Sequence, residues 1–319
     1  MTARHQAGRG GQTDRGGLTG PRRWTRRRML GFGLGGVAAL AVAGVTGVEL
    51  VSRGILPGKT VLDDVEGACS VPAPHLVFPP SGPSFSGTFY SAARHRRVGY
   101  TVAYPPGHRQ GERLPLVIML HGYGENHASA LVGMSPAQAL AVTNSGPVSM
   151  VTVDGGDGYW NPHPGDNPMA MVIGELIPLC QRLGLGRSPQ RIGAMGISMG
   201  GYGALLLAEK YPHLITAVAA ISPAIWTSYA QARQANAGAY ASAAAFAAGD
   251  AVTHAAALAG VPVRVASGYD DPFYPGAQAL ARALPAGAVL DFGPGCHTTP
   301  FFLAQEPPSL VFLASHLGR

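Results

Sequence analysis

The chain has 319 residues, of which 46% are hydrophobic and 13% are charged, and its formal net charge is +6. This composition excludes a disordered chain, and the short apolar runs exclude a polytopic membrane protein. The 45 Gly residues show no period, which excludes a collagen or a solenoid. Three Cys are too few for a disulfide scaffold. The remaining interpretation is a protein with one sizeable globular core. Taken at face value, its excess of basic residues indicates an acidic binding partner such as nucleic acid or anionic lipid.

The basic excess lies at the N-terminus. Residues 1–28 contain eight Arg and one acidic residue, Asp14, for a net charge of +7. The rest of the chain therefore sums to −1. Because the charge is confined to this segment, it gives no evidence for a nucleic-acid partner, and we expect none.

Residues 1–50 read as an export segment. Residues 29–48 carry no charge and directly follow the Arg26-Arg27-Arg28 run, and the junction resembles a twin-arginine signal. Ala41-Val42-Ala43 offers a small-x-small cleavage pattern. Twenty uncharged residues also suffice to cross a bilayer of about 30 Å, so residues 29–48 could instead stay as a membrane anchor. We expect an exported protein of the cell envelope or extracellular space, with cleavage or anchoring left open.

The three cysteines are compatible with an oxidising compartment. An odd number allows one bridge at most and leaves a free thiol. The sequence does not choose a pair among Cys69, Cys180 and Cys296, and three separate buried thiols are an equal alternative.

After a Pro/Gly-rich linker at 51–83, residues 84–319 alternate between strand-like and helix-like segments. The strand-like runs are Thr88–Ser91, Val98–Tyr104, Leu116–Leu120, Val148–Val153, Arg191–Met195, Ala217–Ile221, Val263–Ala266 and Ala288–Phe292. The helix-like stretches lie at about 129–143, 168–183, 200–211, 239–258, 274–284 and 301–317. This alternation predicts one α/β domain, a doubly wound and mostly parallel sheet with an antiparallel start and helices on both faces. The Ala-rich stretch 236–260 is expected to be a helix over the cleft rim.

Gly196-Ile197-Ser198-Met199-Gly200 is a G-x-S-x-G pattern, which is weak evidence by itself. Its context strengthens it, because an apolar run precedes it and a helix-like stretch follows. Strand, sharp turn and helix together are typical of a nucleophile elbow, which presents the serine hydroxyl at the carboxyl end of a strand. We predict Ser198 as a nucleophile.

A serine hydroxyl needs a base, and the base needs an acid that orients it. In proteins with a nucleophile elbow, the acid and then the histidine follow late strands of the sheet. Asp270 and Asp271 follow the run that ends at Ala266, and His297 follows the last run in a Gly-rich loop. We predict His297 as the general base, with one of the two acids as its partner.

The negatively charged oxygen formed on attack needs two backbone N–H donors. Met199, directly after the nucleophile, supplies one. The loop His121-Gly122-Tyr123-Gly124 follows a strand-like run and is expected to supply the other through Tyr123.

These motifs resemble the α/β-hydrolase "putative esterase" superfamily, which contains S-formylglutathione hydrolases and secreted mycolyltransferases. The resemblance spans about residues 85–318 and rests on LVIMLHGYGEN, GISMGGYGALLLAEKYPHLITAVAAISPAIW, the Gly268-x-x-Asp271-x-Phe273 strand end and GCHTTPFF. It implies Ser198 as nucleophile, Asp271 rather than Asp270 as acid, His297 as base, and Tyr123 and Met199 at the oxyanion hole. The mycolyltransferases use Glu where this chain offers Asp, so the resemblance favours plain ester hydrolysis.

The sequence therefore predicts an exported serine esterase that cleaves small-molecule or lipid esters through an acyl-enzyme. A cell-envelope acyltransferase with the same triad, and a catalytically silent surface-binding scaffold, are the alternatives. No nucleotide motif and no metal-ligand spacing is present, so neither cofactor nor metal is expected. The loop Asp154–Trp160 follows a strand, and Trp160 is either a substrate contact or a buried structural residue.

Overall fold

The computed structural model describes Cys69 and residues 80–131, 134–186 and 192–318. The predicted export segment 1–50 and most of the predicted linker 51–83 lie outside these residues. The strands form one eight-stranded sheet. They are β1 (Ser84–Ser91), β2 (Arg96–Ala103), β3 (Leu116–Leu120), β4 (Ser149–Val153), β5 (Ile192–Ile197), β6 (Ala217–Ile221), β7 (Val263–Gly268) and β8 (Val289–Gly293).

The sheet has the order β1-β2-β4-β3-β5-β6-β7-β8. β1 pairs with β2, and β2 with β4, in antiparallel fashion. All other pairs, from β4–β3 to β7–β8, are parallel. The predicted α/β-hydrolase fold, with an antiparallel start and a parallel remainder, is confirmed.

The middle strands are buried along their whole length. Every residue of β3, β4, β6 and β7 is buried, as continuous apolar runs predict for strands covered on both faces. Alternate side chains of β3 enter different cores: Leu116, Ile118 and Leu120 pack on one face, and Val117 and Met119 on the other. Two layers of helices therefore enclose the sheet.

From β3 onward, every strand is followed along the chain by at least one helix. The α-helices are α1 (Met134–Asn144), α2 (Pro168–Met171), α3 (Ile177–Arg182), α4 (Met199–Lys210), α5 (Tyr229–Ala235), α6 (Ala243–Ala248), α7 (Tyr274–Ala283) and α8 (Thr299–Leu317). A π-helical turn, Val172–Leu176, joins α2 to α3, and short 3₁₀ turns occupy Ser129–Leu131 and Ala255–Leu258. α4 packs on β3, β5 and β6, and α8 packs on α1, β5 and β6.

The predicted single helix across 236–260 is wrong. The segment contains the six-residue α6 and a 3₁₀ turn, and the unpredicted α5 precedes it. Ser242 caps α6 by accepting a hydrogen bond from the Ala245 N–H, and the helix ends at Gly249. The composition of the Ala-rich run favours one helix. The N-cap at Ser242 and the C-cap at Gly249 instead divide it into shorter segments.

Within the part of the chain that the structure describes, no helix is both long and apolar enough to span a bilayer. Residues 29–48, the candidate anchor, lie outside that part.

Candidate active site

Ser198 occupies a sharp turn between β5 and α4. Its backbone has φ +56° and ψ −121°, a conformation that non-Gly residues rarely adopt. The Ser198 N–H donates to the carbonyl of Ile221 at 2.9 Å, and its carbonyl accepts from the Ala224 N–H at 3.0 Å. The chain after β6 therefore holds the turn on one side.

The turn needs glycine on both sides of the serine. A Cβ at Gly200 would lie 1.8 Å from the Leu120 carbonyl oxygen, and one at Gly196 would lie 2.2 Å from the Gly200 carbonyl. Such distances leave no space for a side chain. The close approach brings the start of α4 against the end of β3, where the loop His121–Gly124 begins, which is called the oxyanion loop after its predicted role.

Three side chains meet at this edge of the sheet. The Oγ of Ser198 lies 2.9 Å from Nε2 of His297. On the other side of the ring, Nδ1 lies 2.9 Å from Oδ2 of Asp271. With Nδ1–H donating to the carboxylate, Nε2 is left to accept the serine proton.

Of the two candidate acids, Asp271 is the one that contacts His297. Its side chain is fully buried, and its second oxygen, Oδ1, accepts a hydrogen bond from the Phe273 N–H at 2.8 Å. Asp270 is half-buried, and its backbone N–H donates to the Gly295 carbonyl at 3.0 Å. Asp270 therefore helps to hold the loop that carries His297 through its backbone.

Aromatic rings surround the histidine. The Phe273 and Phe302 rings lie 5.2 Å and 5.0 Å from the His297 ring, both edge-on. Trp226, which follows β6, packs edge-on against Phe273 at 4.7 Å. The His297 ring is therefore flanked by apolar rings, while Ser198 itself is partly exposed.

The loop after β3 offers one free backbone donor. The Gly122 N–H donates to Oε2 of Glu125 at 2.8 Å, and the Gly124 N–H donates to Oδ1 of Asp157 at 2.8 Å. The N–H of Tyr123, between them, has no acceptor among the residues that the structure describes. Met199 is the first residue of α4, and the first N–H groups of a helix have no intrahelical acceptor. The two N–H groups predicted to form the oxyanion hole therefore lack an acceptor among the described residues.

His121 is a site residue whose role the sequence did not indicate. It is fully buried, and its Nε2 accepts from the Gly155 N–H at 2.8 Å. Nδ1 therefore carries the proton and donates to the Gly122 carbonyl at 2.8 Å. Burial lowers the pKa of His121, which favours the neutral ring that this bridge requires. The ring joins the oxyanion loop to the loop after β4.

The loop after β4 packs against the loop after β3 through the buried side chain of Trp160. Trp160 has no exposed surface, its ring lies 5.1 Å from the His121 ring at a tilt of 60°, and its Nε1 donates to the His121 carbonyl at 3.3 Å. Both Tyr159 and Trp160 have positive φ, +54° and +56°. Of the two interpretations given for Trp160, the structure shows the buried one.

Charged side chains also hold the loop after β4 in place. Arg94 is buried and pairs with Asp166 through Nε at 2.7 Å and Nη2 at 2.9 Å. Its Nη1 donates to the carbonyl of Asp154. The Asp154 carboxylate accepts from the backbone N–H groups of Gly99 and His127, at 2.8 Å and 2.9 Å. The support of the oxyanion loop therefore extends back to β2.

The cysteines include one disulfide bond, between Cys69 and Cys296. Cys180 is a buried free thiol, and burial raises its pKa to about 12. Among the residues that the structure describes, no group of three or more His, Cys, Asp or Glu side chains could hold a metal ion.

The sheet order, the strand–turn–helix at Ser198 and the late histidine define an α/β-hydrolase. Residues 91–285 match the model of the Esterase family, described as "Putative esterase". The match covers more than half of the chain, and the chain belongs to this family of carboxylic ester hydrolases. Ser198 and Asp271 lie within the matched region, and His297 lies beyond it.

Solved esterase structures share the fold. A ferulic acid esterase superposes with a TM-score of 0.65 at 18% identity, covering 75% of this chain and 100% of the other. An S-formylglutathione hydrolase from Agrobacterium tumefaciens gives 0.62 at 20% identity, covering 76% and 97%. A ferulic acid esterase from Anaeromyces mucronatus, in complex with ferulic acid, gives 0.56 at 16% identity, covering 76% and 95%. No curated protein matches the chain.

Proposed function

We propose that this chain is an exported serine esterase that hydrolyses carboxylic esters through an acyl-enzyme on Ser198. The observation that carries the proposal is the pair of 2.9 Å contacts that join Ser198 to His297 and His297 to Asp271. A partly exposed serine, a histidine within hydrogen-bond reach and a buried acid are the parts that acyl transfer needs.

The reaction follows from this arrangement. Nε2 of His297 takes the Ser198 proton as Oγ attacks the ester carbonyl, and Asp271 stabilises the imidazolium. The carbonyl oxygen becomes negatively charged and is stabilised by the N–H groups of Tyr123 and Met199. His297 then gives its proton to the leaving alcohol, and the acyl group stays on Ser198. Water, deprotonated by the same ring, releases the acid.

The loop contacts support Tyr123 as a donor. Since the N–H groups on either side of Tyr123 are each bonded to a carboxylate, the loop is held in one conformation before substrate arrives. Donors that need no rearrangement contribute most to catalysis. Removing one such donor typically costs about 10²–10³ in kcat.

The disulfide bond supports the proposed location. Disulfide bonds form and persist in oxidising compartments and are rare in a reducing cytosol. A bond between Cys69 and Cys296 agrees with the export that residues 1–50 predict.

A panel of p-nitrophenyl esters of increasing acyl length tests the proposal, with Ser198→Ala as the matched variant. We expect turnover by the wild type on at least the short esters and loss of at least about 10³-fold in Ser198→Ala. If no ester in the panel shows turnover that depends on Ser198, the proposal is wrong.

A further inference from the structure

His297 follows the edge strand β8, none of whose five residues is buried. β8, the strand before it, lies at the edge of the sheet, and among the described residues it pairs with β7 alone. Val289 and Leu290 of β8 are 44% and 45% exposed. By contrast, Ser198 follows the central strand β5, five of whose six residues are buried. The nucleophile is held by the core, whereas the base depends on the loop between β8 and α8.

That loop has few noncovalent anchors. The Gly293 and Gly295 carbonyls accept from the N–H groups of Tyr269 and Asp270, at 2.8 Å and 3.0 Å. The Thr298 hydroxyl is buried without a hydrogen-bond partner among the described residues, so the residue after His297 adds no side-chain hydrogen bond. The His297 side chain adds its two hydrogen bonds, which are those of the reaction, and edge-on contacts with the Phe273 and Phe302 rings.

The covalent anchor is the disulfide bond. Cys296 directly precedes His297, is 1% exposed, and is bonded to Cys69, whose Cα lies 5.1 Å away. The two cysteines are 227 residues apart in sequence, so the bond fixes the loop to a segment that precedes every strand of the sheet. Any displacement of Cys296 on release of the bond passes directly to the backbone of His297.

We propose that the Cys69–Cys296 bond is a positioning element for the catalytic base, and that the esterase is fully active only when this bond is formed. The inference rests on the proposed function, since it assigns His297 as the base. A shift of about 1 Å in a catalytic group can cost about 10²-fold in rate. The oxidised and reduced forms therefore differ in the position of Nε2 relative to Ser198, and the enzyme synthesised in a reducing compartment gains its activity upon oxidation.

The chemistry of this change is a two-electron exchange. The Cys69 and Cys296 thiols give two electrons and two protons to a disulfide-containing oxidant and form their S–S bond, while the S–S bond of the oxidant breaks to give two thiols. In the test, a water-soluble phosphine reverses it. The phosphine becomes a phosphine oxide, taking oxygen from water, and the disulfide becomes two thiols.

The first test uses Cys69→Ser and Cys296→Ser, with Cys180→Ser as the control, since Cys180 is buried and outside the bond. On p-nitrophenyl acetate we expect each bond-breaking variant to lose about 10- to 100-fold in kcat, with KM within about twofold. The double variant should be no worse than either single one, because all three remove the same bond. Cys180→Ser should keep wild-type kcat. Measurements well below the melting temperature of each variant separate this loss from loss of folded protein.

The second test uses the wild-type protein and remains informative if a variant does not fold. The phosphine is titrated in while the two-dalton mass increase, the circular dichroism and the turnover are recorded together. We expect kcat to fall with the reduced fraction while the dichroism stays native, and to return on reoxidation. Fully reduced, natively folded enzyme with unchanged kcat overturns the inference, as does loss of dichroism in step with the loss of turnover.

The two proposals fail in different ways. Wild-type turnover that does not depend on Ser198 contradicts the proposed function. Turnover that depends on Ser198 and is unchanged by loss of the Cys69–Cys296 bond contradicts only the positioning role.

Discussion

Replacing Asp271 with Asn gives a direct test of the acid. The Phe273 N–H donates to Oδ1 of Asp271, and in Asp271→Asn this contact favours the amide oxygen at the same place. The amide NH₂ then faces Nδ1 of His297, where the carboxylate oxygen stood at 2.9 Å. Because the amide donates, Nδ1 must accept, and the proton moves to Nε2. The ring then presents a proton to Ser198 instead of a lone pair.

The size of the effect follows from this change of tautomer. Loss of the correct tautomer in a Ser–His–Asp arrangement costs about 10⁴ in kcat, and each factor of ten is about 1.36 kcal/mol of activation free energy. We therefore expect kcat of Asp271→Asn to fall roughly 10³- to 10⁴-fold, or about 4–5.5 kcal/mol. The packing volume is unchanged, so circular dichroism should stay native.

The assay is steady-state hydrolysis of p-nitrophenyl acetate from pH 6 to 9, with Asp270→Asn as the matched control. Asp270→Asn keeps the backbone hydrogen bond to Gly295, and we expect its kcat to stay within about threefold of wild type. Loss of turnover in Asp270→Asn together with intact turnover in Asp271→Asn would show that Asp271 is not the acid.

Of three further predictions, two concern residues that hold the loops of the site and one concerns a buried carboxyl group. His121→Ala removes the ring that joins the two loops. In steady-state kinetics we expect kcat to fall about 10- to 100-fold with little change in KM, because the oxyanion donor loses its position. An unchanged kcat would show that the ring does not position the donor. Asp157→Ala frees the Gly124 N–H and should lower kcat/KM about tenfold on the same ester, whereas a wild-type value would show that the Asp157 contact does not order the loop. Glu209 is buried near Asp250, and both its oxygens lack a hydrogen-bond partner among the described residues. Burial raises its pKa from 4.5 to about 8, so the folded state keeps a proton that the unfolded state releases between these values, and the free energy of unfolding falls as pH rises. Glu209→Met should remove that share, roughly 3 kcal/mol between pH 5 and 8, in urea unfolding followed at each pH; parallel pH curves for the two proteins would contradict the assignment.

The fold was predictable because its signals are local and periodic. Apolar runs such as Leu116–Leu120 are strands buried on both faces, and the glycines around Ser198 mark a turn whose tight contacts admit no Cβ. The boundaries shifted by a few residues, most at β1, which begins at Ser84 rather than Thr88. β1 is an edge strand, and the exposed positions in its first half are Ser84 and Ser86, so Phe85 alone gives an apolar signal there.

The supports of the site were not predictable from one sequence. The contacts of His121 with Gly155 and of Asp157 with Gly124 join loops more than thirty residues apart through backbone groups. Such contacts leave no period or motif, because any residue supplies the backbone N–H. The disulfide pairing was open for the same reason, since only the three-dimensional arrangement brings Cys69 to Cys296.

Covalent labelling tests whether Ser198 is the nucleophile. The wild type is treated with a fluorophosphonate, which reacts with an activated serine, and the labelled residue is identified by peptide mass spectrometry. We expect one adduct per chain, located on Ser198 and absent from Ser198→Ala, with ester turnover lost in proportion to labelling. An adduct on another residue, or full turnover by Ser198→Ala, would show that Ser198 is not the nucleophile.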